Sequence, residues 1–346
     1  MNNYTENVGF SHLHKLESFG NRSFLTLKDF SSEELSHLLE LAEELKTQHA
    51  TGTEERSLTG KVIALVFEKD STRTRCAFEV AALHQGAATT YLSPGGTHIG
   101  VKESLADTAR VLGGMFDAIM YRGHGQEIVE TLAANAGVPV YNGLTDEFHP
   151  TQILADLLTM SEYCSKPLKE QTLVYLGDGA NNMANSLMIG CAKLGVNFRI
   201  ASPEGFRPSV ELVEYAQGLA QESGSEISLG SDAKELVAGA DFLYTDVWLS
   251  MGAAKEEWEI RVKAMMPYRV DKKLAEATGN PEVKFLHCLP AYHDQNTPLG
   301  KKFFEETGLN GIEVCDELFS SPASVVFEQS TNRLHTIKAL MVATLG

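Results

Sequence analysis

The sequence has few cysteines, no long apolar run and no recognisable leader. Its five cysteines are widely scattered and form no C-x-x-C pair, which argues against a disulfide framework and a structural zinc site. No apolar run approaches the ~18–20 residues that span a bilayer. Residues 1–10 lack the basic region and the apolar stretch of a signal peptide. We therefore expect a soluble protein of the reducing cytoplasm, without a membrane partner.

Positive charge is scarce as well. The chain has 29 Lys and Arg against 46 Asp and Glu, a formal net charge of −17. Nucleic-acid-binding proteins need a basic surface that displaces counterions from phosphates, so no nucleic-acid partner is expected. A local basic pocket remains compatible with this balance, because net charge averages over the whole surface. The length of 346 residues and the hydrophobic content of 43% are typical of a globular protein with two domains.

Apolar β-branched runs alternate with amphipathic stretches, which predicts an α/β fold with parallel sheets. In the first half we expect strands at residues 61–67, 88–92, 117–121 and 138–141, and helices at 74–85, 103–115 and 127–136. In the second half we expect helices at 149–163 and 182–194, and strands at 172–176, 198–201, 227–229, 242–246 and 284–288. A last helix is expected at 323–345.

This alternation predicts two doubly wound parallel-sheet domains, residues 1–150 and 151–322, joined by rigid interdomain helices. The C-terminal helix, 323–346, is expected to pack back on the first domain. Such sheets bind ligands at the carboxyl ends of their strands, so the active site is expected in the cleft between the domains.

Polar side chains follow the strands of the first domain. The first strand is followed by Ser71, Thr72, Arg73 and Thr74 at the start of a helix, where free N–H groups and the helix dipole favour an anion. Arg122 follows the third strand, between Tyr121 and a Gly-His-Gly turn. An N-cap with a surface arginine would explain the first motif alone. Arginines at two strand exits favour a phosphate site instead.

A histidine and a glutamine follow the fourth strand. His149 stands at a helix start, where the dipole disfavours the protonated imidazole. Its neutral N–H could polarise a carbonyl group. Gln152 lies one turn further and offers an amide to the same region.

The second half offers groups for a different ligand. Residues 177–182 resemble a dinucleotide-binding loop, but Asn182 stands where the third glycine belongs, which weakens a dehydrogenase interpretation. Asn182 could instead bind a carboxylate or an amide, and Asp246 an ammonium group. Cys288, at the end of a strand, is placed where thiols react or bind substrate. Arg333, on the last helix, would by itself be a solvated arginine.

Taken together, these motifs resemble the ornithine carbamoyltransferases over roughly residues 18–345. S-T-R-T-R and H-P-T-Q are shared by all transcarbamoylases, including those that act on aspartate. D-V-W-L-S-M-G and H-C-L-P are the marks of the ornithine type. The resemblance implies a carbamoyl phosphate-binding domain at 1–150 and an ornithine-binding domain at 151–322.

The resemblance also implies roles for individual residues. Carbamoyl phosphate would be bound by Ser71, Thr72, Arg73, Thr74, His98, Arg122, His149, Gln152, Cys288, Leu289 and Arg333. L-Ornithine would be bound by Asn182, Asp246, Ser250 and Met251. Arg122, His149 and Cys288 would be catalytic, and neither cofactor nor metal is implied. The segment 93–104, which contains His98, resembles the family's loop that reaches into a neighbouring subunit. His98 stands where a Gln is expected, although imidazole could still donate to phosphate. A homotrimer, or a multiple of trimers, with shared active sites is implied.

The implied reaction transfers the carbamoyl group of carbamoyl phosphate to the δ-amine of L-ornithine, giving L-citrulline and phosphate. It belongs to arginine metabolism. Three other interpretations stay open: a different acceptor (putrescine, N-acetylornithine or aspartate), a nicotinamide-dependent dehydrogenase, and a non-catalytic relative.

Overall fold

Two parallel β-sheets organise the chain, in a computed structural model that describes residues 19–95, 102–248 and 255–346. The first sheet has the order β2-β1-β3-β4 and contains β1 (Val62–Phe67), β2 (Ala88–Leu92), β3 (Ala118–Arg122) and β4 (Val140–Leu144). The second has the order β7-β6-β5-β8-β9 and contains β5 (Thr172–Leu176), β6 (Asn197–Ala201), β7 (Ile227–Gly230), β8 (Phe242–Thr245) and β9 (Lys284–His287). All paired strands are parallel. The predicted fold class is confirmed.

Helices connect the strands of both sheets. The first half has α1 (Ser32–Thr51), α2 (Thr72–His84), α3 (Leu105–Gly113), α4 (Gln126–Ala136) and α5 (Pro150–Tyr163). The second half has α6 (Asn182–Leu194), α7 (Val210–Ser223), α8 (Ala233–Val237), α9 (Lys255–Met265), α10 (Lys272–Glu276), α11 (Pro298–Thr307), α12 (Asp316–Phe319) and α13 (Val326–Leu345). Among the described residues, no helix is both long and apolar enough to cross a membrane.

The sequence explains why β1 is central and where α2 begins. Residues 63–67 of β1 are apolar and fully buried, as expected for a strand that pairs on both sides in a parallel sheet. The helix that follows begins where the side chain of Ser71 accepts a hydrogen bond from the backbone N–H of Thr74, at 3.3 Å. This N-cap satisfies one of the free donors of the first turn.

Five predicted strands, β3, β4, β7, β8 and β9, end one to three residues away from the expectation. Strand β4 extends to Leu144, because Leu144 pairs with Arg122 of β3 after a register shift. Strand β8 ends at Thr245, and the carboxylate of Asp246 accepts a hydrogen bond from the next backbone N–H instead. Helix α1 was not predicted, although a capping box at Ser31 and Glu34 starts it.

Two helices tie the halves of the chain together. Helix α5 packs on both β4 and α6, and its first eleven residues, 150–160, are all buried. Helix α13 packs against α1, α2 and α5 and also against β9. The carboxyl ends of the two sheets therefore face one cleft with a closely packed base.

Candidate active site

One cleft of about 710 Å³ collects most of the predicted site residues. The predicted residues that line it are Ser71, Arg73, Arg122, His149, Asn182, Asp246, Cys288, Leu289 and Arg333. Exposed Thr72 and the buried Thr74 and Gln152 do not line it. His98, Ser250 and Met251 lie outside the described residues.

Thr74 holds two arginines at the side of the cleft that the first sheet and α13 form. Its side chain is fully buried, and its hydroxyl oxygen accepts hydrogen bonds from Arg122 Nη1 at 3.2 Å and Arg333 Nη2 at 2.8 Å. Arg122 Nη1 also donates to the carbonyl oxygen of Gly143, at 3.3 Å. Thr74 therefore joins α2, β3 and α13 in one arrangement of guanidinium groups.

The cleft contains three arginines, and burial lowers the pKa of each of them: Arg73, Arg122 and Arg333. Burial, together with the charges of Arg333 and Arg73, lowers the pKa of Arg122 from 12.5 to about 9. Burial and the charge of Arg73 lower the pKa of Arg333 to about 10. Among the described residues, no carboxylate forms an ion pair with any of the three. Such a cluster is stabilised by an anion that accepts from several guanidinium groups at once.

His149 is a neutral group beside these cations. Burial holds its pKa well below 6.5, and the charges of Arg333, Arg122 and Arg73 act in the same direction. The sequence predicts a neutral imidazole from the helix dipole, whereas burial is the largest cause in the structure. The backbone N–H of His149 donates to Ser186 Oγ at 2.8 Å. Its ring atom Nδ1 is buried without a hydrogen-bond partner.

The second domain contributes a paired thiol and carboxylate. Cys288 Sγ donates a hydrogen bond to Asp246 Oδ1 over 3.0 Å, and the backbone N–H of Val247 donates to the same oxygen at 2.7 Å. Burial raises the pKa of Asp246. Burial and the neighbouring carboxylate raise the pKa of Cys288 well above 9. The thiol therefore stays protonated at neutral pH and acts as a hydrogen-bond donor. Because only thiolates are good nucleophiles, this protonated thiol is not a nucleophile.

Two buried side chains, His287 and Glu313, support the turn that follows β9. Leu289 has a φ of 57°, which is uncommon for a residue other than glycine. Its backbone N–H donates to His287 Nδ1 at 2.9 Å. His287 Nε2 lies 3.3 Å from Glu313 Oε1, and both side chains are fully buried. This support keeps the backbone of Cys288 and Leu289 at the cleft.

Asn182, a predicted site residue, joins the two halves of the cleft, because its side chain donates to the backbone oxygen of Thr145 at 2.7 Å.

Several lining residues were not predicted from the sequence. The additional lining residues include Lys69, Asp146, Asp178, Trp248 and Arg261. Lys69 pairs with Asp146, and Arg261 Nη1 lies 2.6 Å from Asp178 Oδ2. Lys69 and Asp178 stand two residues after the ends of predicted strands, so their positions already carried a signal.

Two of the groups that resemble metal ligands are arranged in a way that does not favour a metal ion. Asp246, His287 and Cys288 lie close together, but the thiol proton binds Asp246 and His287 Nδ1 accepts the N–H of Leu289. In a second group, His49, Glu54 and His84, the two imidazole rings stack with centroids 4.2 Å apart. Their nitrogen lone pairs, which lie in the ring planes, then do not converge on one point. We assign no metal to either group.

Comparison with known proteins identifies the family of the chain. The family profile described as "Aspartate/ornithine carbamoyltransferase, carbamoyl-P binding domain" matches residues 22–162, and its "Asp/Orn binding domain" matches residues 169–344. The two profiles together span both sheets.

Solved structures of similar proteins extend over nearly the whole chain. An ornithine carbamoyltransferase from Pyrococcus furiosus is 41% identical, with 95% of this chain and 98% of that chain covered and a TM-score of 0.87. An anabolic ornithine carbamoyltransferase from Campylobacter jejuni is 37% identical, with coverages of 92% and 97% and a TM-score of 0.81. The enzyme from Thermus thermophilus is 36% identical, with coverages of 94% and 99% and a TM-score of 0.78. The chain belongs to the aspartate/ornithine carbamoyltransferase family.

Proposed function

We propose that this enzyme transfers the carbamoyl group of carbamoyl phosphate to the δ-amine of L-ornithine, giving L-citrulline and phosphate. One observation carries the proposal. A cluster of three arginines without a carboxylate partner among the described residues faces the Asp246–Cys288 pair across a single cleft. The first wall suits a phosphate, and the second suits a group that carries an amine.

The arginine wall would bind the phosphate and the carbonyl of carbamoyl phosphate. Ser71, Thr72 and Arg73 belong to the start of α2, where backbone N–H groups favour an anion. Arg122 and Arg333 each keep a buried Nε without a partner, so each retains a donor for substrate. Neutral His149 can donate one N–H to the carbonyl oxygen, and Gln152 contributes an amide one turn away.

The reaction forms a bond between the δ-nitrogen and the carbonyl carbon, which gives a tetrahedral oxyanion. The bond from that carbon to the bridging phosphate oxygen then breaks, and the oxygen leaves with its electron pair. The proton lost by the amine goes to the departing phosphate. His149 and Arg122 would stabilise the oxyanion, and a placed donor of this kind is typically worth ~10²–10³ in rate.

The second wall would hold and orient the amino acid. A free δ-amine is protonated at neutral pH, since its pKa lies near the ~10.4 of lysine, and desolvation favours the neutral form. Asp246 and the protonated Cys288 would orient the amino groups, and Asn182, Ser250 and Met251 would bind the rest of the α-amino acid. Cys288 would thus be catalytic through its hydrogen bond.

The choice of acceptor rests on this wall. Aspartate would bring a second carboxylate, which needs a cation, but the group facing the arginines here is the carboxylate of Asp246. The arginine of this region, Arg261, is paired with Asp178. Putrescine has no α-carboxylate, so it would leave part of the Asn182 region without a ligand. These contacts favour L-ornithine.

The test is citrulline formation from carbamoyl phosphate, with L-ornithine, putrescine, N-acetylornithine and aspartate compared as acceptors. We expect kcat/KM for L-ornithine to exceed the others by at least ~10²-fold, as for a site whose buried polar groups the competitors leave unpaired. Preference for another amine would retain the carbamoyl phosphate wall and refute the acceptor assignment. No transfer to any amine would favour the non-catalytic relative.

We also propose a homotrimer that shares its active sites, in the cytoplasm. Two exposed apolar pairs in the first domain support an assembly: Val80 and Leu83 on α2, and Val111 and Met115 on and after α3. Light scattering should give a mass of three chains or a multiple of it. His98→Ala should then lower the affinity for carbamoyl phosphate if a neighbouring subunit supplies that imidazole.

A further inference from the structure

A buried carboxylate lies behind the cleft and has no role in the reaction described above. Asp156, on α5, is fully buried. Its Oδ1 accepts hydrogen bonds from Gln152 Nε2 at 2.8 Å and from Gln329 Nε2 at 2.7 Å. Its Oδ2 is buried without a partner. A buried carboxylate costs free energy unless it is well satisfied, so its presence calls for an explanation.

The contact with Asp156 determines which way the amide of Gln152 points. An ionised carboxylate only accepts hydrogen bonds, so it must face the NH₂ group of the amide. The amide oxygen, Gln152 Oε1, then turns the other way and is buried without a partner. Gln152 lies on the same face of α5 as His149, which lines the cleft. The amide thus offers an acceptor, rather than a donor, next to the cleft.

Gln329 fixes the carboxylate from the opposite side. Its Oε1 accepts the backbone N–H of His287 at 2.9 Å, and its Nε2 also donates to the hydroxyl of Tyr244 at 3.1 Å. A backbone N–H can only donate, so the amide of Gln329 has one possible orientation. Its NH₂ group therefore requires an acceptor at Asp156 Oδ1.

We propose that ionised Asp156 is a positioning residue that fixes the amide of Gln152, so that Oε1 accepts a hydrogen bond from the amino group of bound carbamoyl phosphate. This inference rests on the proposed function. A carbamoyl group presents one oxygen acceptor and one NH₂ donor. A site that offers donors to the oxygen and an acceptor to the nitrogen distinguishes the two ends, whereas a rotated amide would place NH₂ against NH₂.

The same geometry links the amide to pH. Burial raises the pKa of Asp156 to about 7, while the hydrogen bonds from Gln152 and Gln329, the nearby Tyr244 hydroxyl and the charge of Arg333 act against this rise. The titratable groups that face it are Arg333 on α13, Tyr244 on β8, Cys288 after β9 and Cys191 on α6. Burial raises the pKa values of Tyr244, Cys288 and Cys191. Arg333 is therefore the charged neighbour in this set.

Protonated Asp156 can donate to Gln152 Oε1 and so permits the rotated amide. We therefore expect the affinity for carbamoyl phosphate to fall as pH decreases through about 7. Asp156→Asn imitates the protonated acid, because it has a donor and an acceptor in the same shape. Gln152→Ala removes the group through which Asp156 is proposed to act.

The experiment measures carbamoyl phosphate binding by calorimetry, and KM and kcat by citrulline formation, for wild type, D156N, Q152A and the double variant across pH 6–9. Each single variant should bind carbamoyl phosphate about 5- to 10-fold more weakly above pH 7, the loss of one neutral hydrogen bond. The loss should appear in KM rather than kcat, because the contact exists before the reaction. The double variant should show no loss beyond Q152A, and all three should lack the acid decrease.

Thr159→Val is the matched control. Thr159 Oγ1 accepts from Asn332 Nδ2 at 3.0 Å, so this variant removes another buried contact between α5 and α13. It should lower the Tm and leave carbamoyl phosphate binding and its pH dependence unchanged.

The inference is overturned if D156N weakens binding further in the Q152A background, or if Q152A retains the acid decrease. The second criterion holds even if D156N does not fold, since Q152A keeps the carboxylate. Failure of the proposed function would look different, because wild type would then make no citrulline whereas the binding comparison could still be completed.

Discussion

Replacing Arg122 with methionine should abolish most activity and yet stabilise the unliganded protein. Arg122 is enclosed with Arg333 and Arg73, and its pKa falls from 12.5 to about 9. At ~1.4 kcal/mol per pKa unit, the charged form costs the folded state ~5 kcal/mol. The folded-state pKa lies below the unfolded one, so this cost is present at neutral pH and is relieved only above about 9.

The expected net effect follows from two opposing contributions. The methionine keeps the apolar stem but loses hydrogen bonds to Thr74 and to the Gly143 carbonyl, worth ~1 kcal/mol each. The unliganded R122M variant should therefore be more stable by roughly 1–3 kcal/mol, a rise in Tm of a few degrees. Its kcat/KM for carbamoyl phosphate should fall by ~10²–10³, because an oxyanion donor is lost.

The assay is thermal unfolding without ligand, together with steady-state citrulline formation. Arg199→Met is the matched control, since Arg199 Nη1 also donates to two oxygens, the carbonyls of Leu236 and Ala238, outside the cleft. R199M should lower the Tm and leave kcat/KM unchanged. If R122M unfolds at a lower temperature than wild type, the argument that burial beside two other cations destabilises the charge of Arg122 is refuted.

Three further outcomes test the rest of the site. Inorganic phosphate at 100 times its Kd should stabilise wild type by ~2.7 kcal/mol, and it should stabilise R122M far less at the same concentration. Asp246→Asn should raise KM for L-ornithine at least ~10-fold, because one partner of a charged contact is removed. The affinity for carbamoyl phosphate should change little. An equal effect on both substrates would contradict the assignment of the two substrates to opposite sides of the cleft. Cys288→Ala should lower kcat/KM for L-ornithine, because the donor to Asp246 is lost; unchanged kinetics would show that the thiol has no such role.

Much of the fold and the cleft could be predicted because the signals are local. Continuous apolar runs mark β1 and β5, and the polar residues directly after strands lie at the carboxyl edge of a parallel sheet. Arg122 and Asp246 both line the cleft because each lies at the carboxyl end of a strand. Helix α1 was predictable in principle too, since Ser31 and Glu34 form a capping box.

The remaining contacts depend on segments that are distant in sequence. Asp156, Tyr244 and Gln329 meet only because α13 returns to pack on α5 and β9. Likewise, nothing local to Thr74 indicates that its hydroxyl accepts from Arg333. The cause of the neutral imidazole at His149 also required the three-dimensional structure, because burial and three arginines from separate elements produce it.

The central claim is that one cleft joins a carbamoyl carbon to the δ-nitrogen of ornithine. The most direct measurement uses carbamoyl phosphate labelled with ¹³C and L-ornithine labelled with ¹⁵N at the δ position, followed by nuclear magnetic resonance of the product. We predict one-bond coupling between the labelled carbon and the δ-nitrogen in citrulline, together with one equivalent of released phosphate. Attachment of the ¹³C-labelled carbamoyl group to the α-amine would contradict the account. Phosphate release without a new carbon–nitrogen bond would contradict it as well.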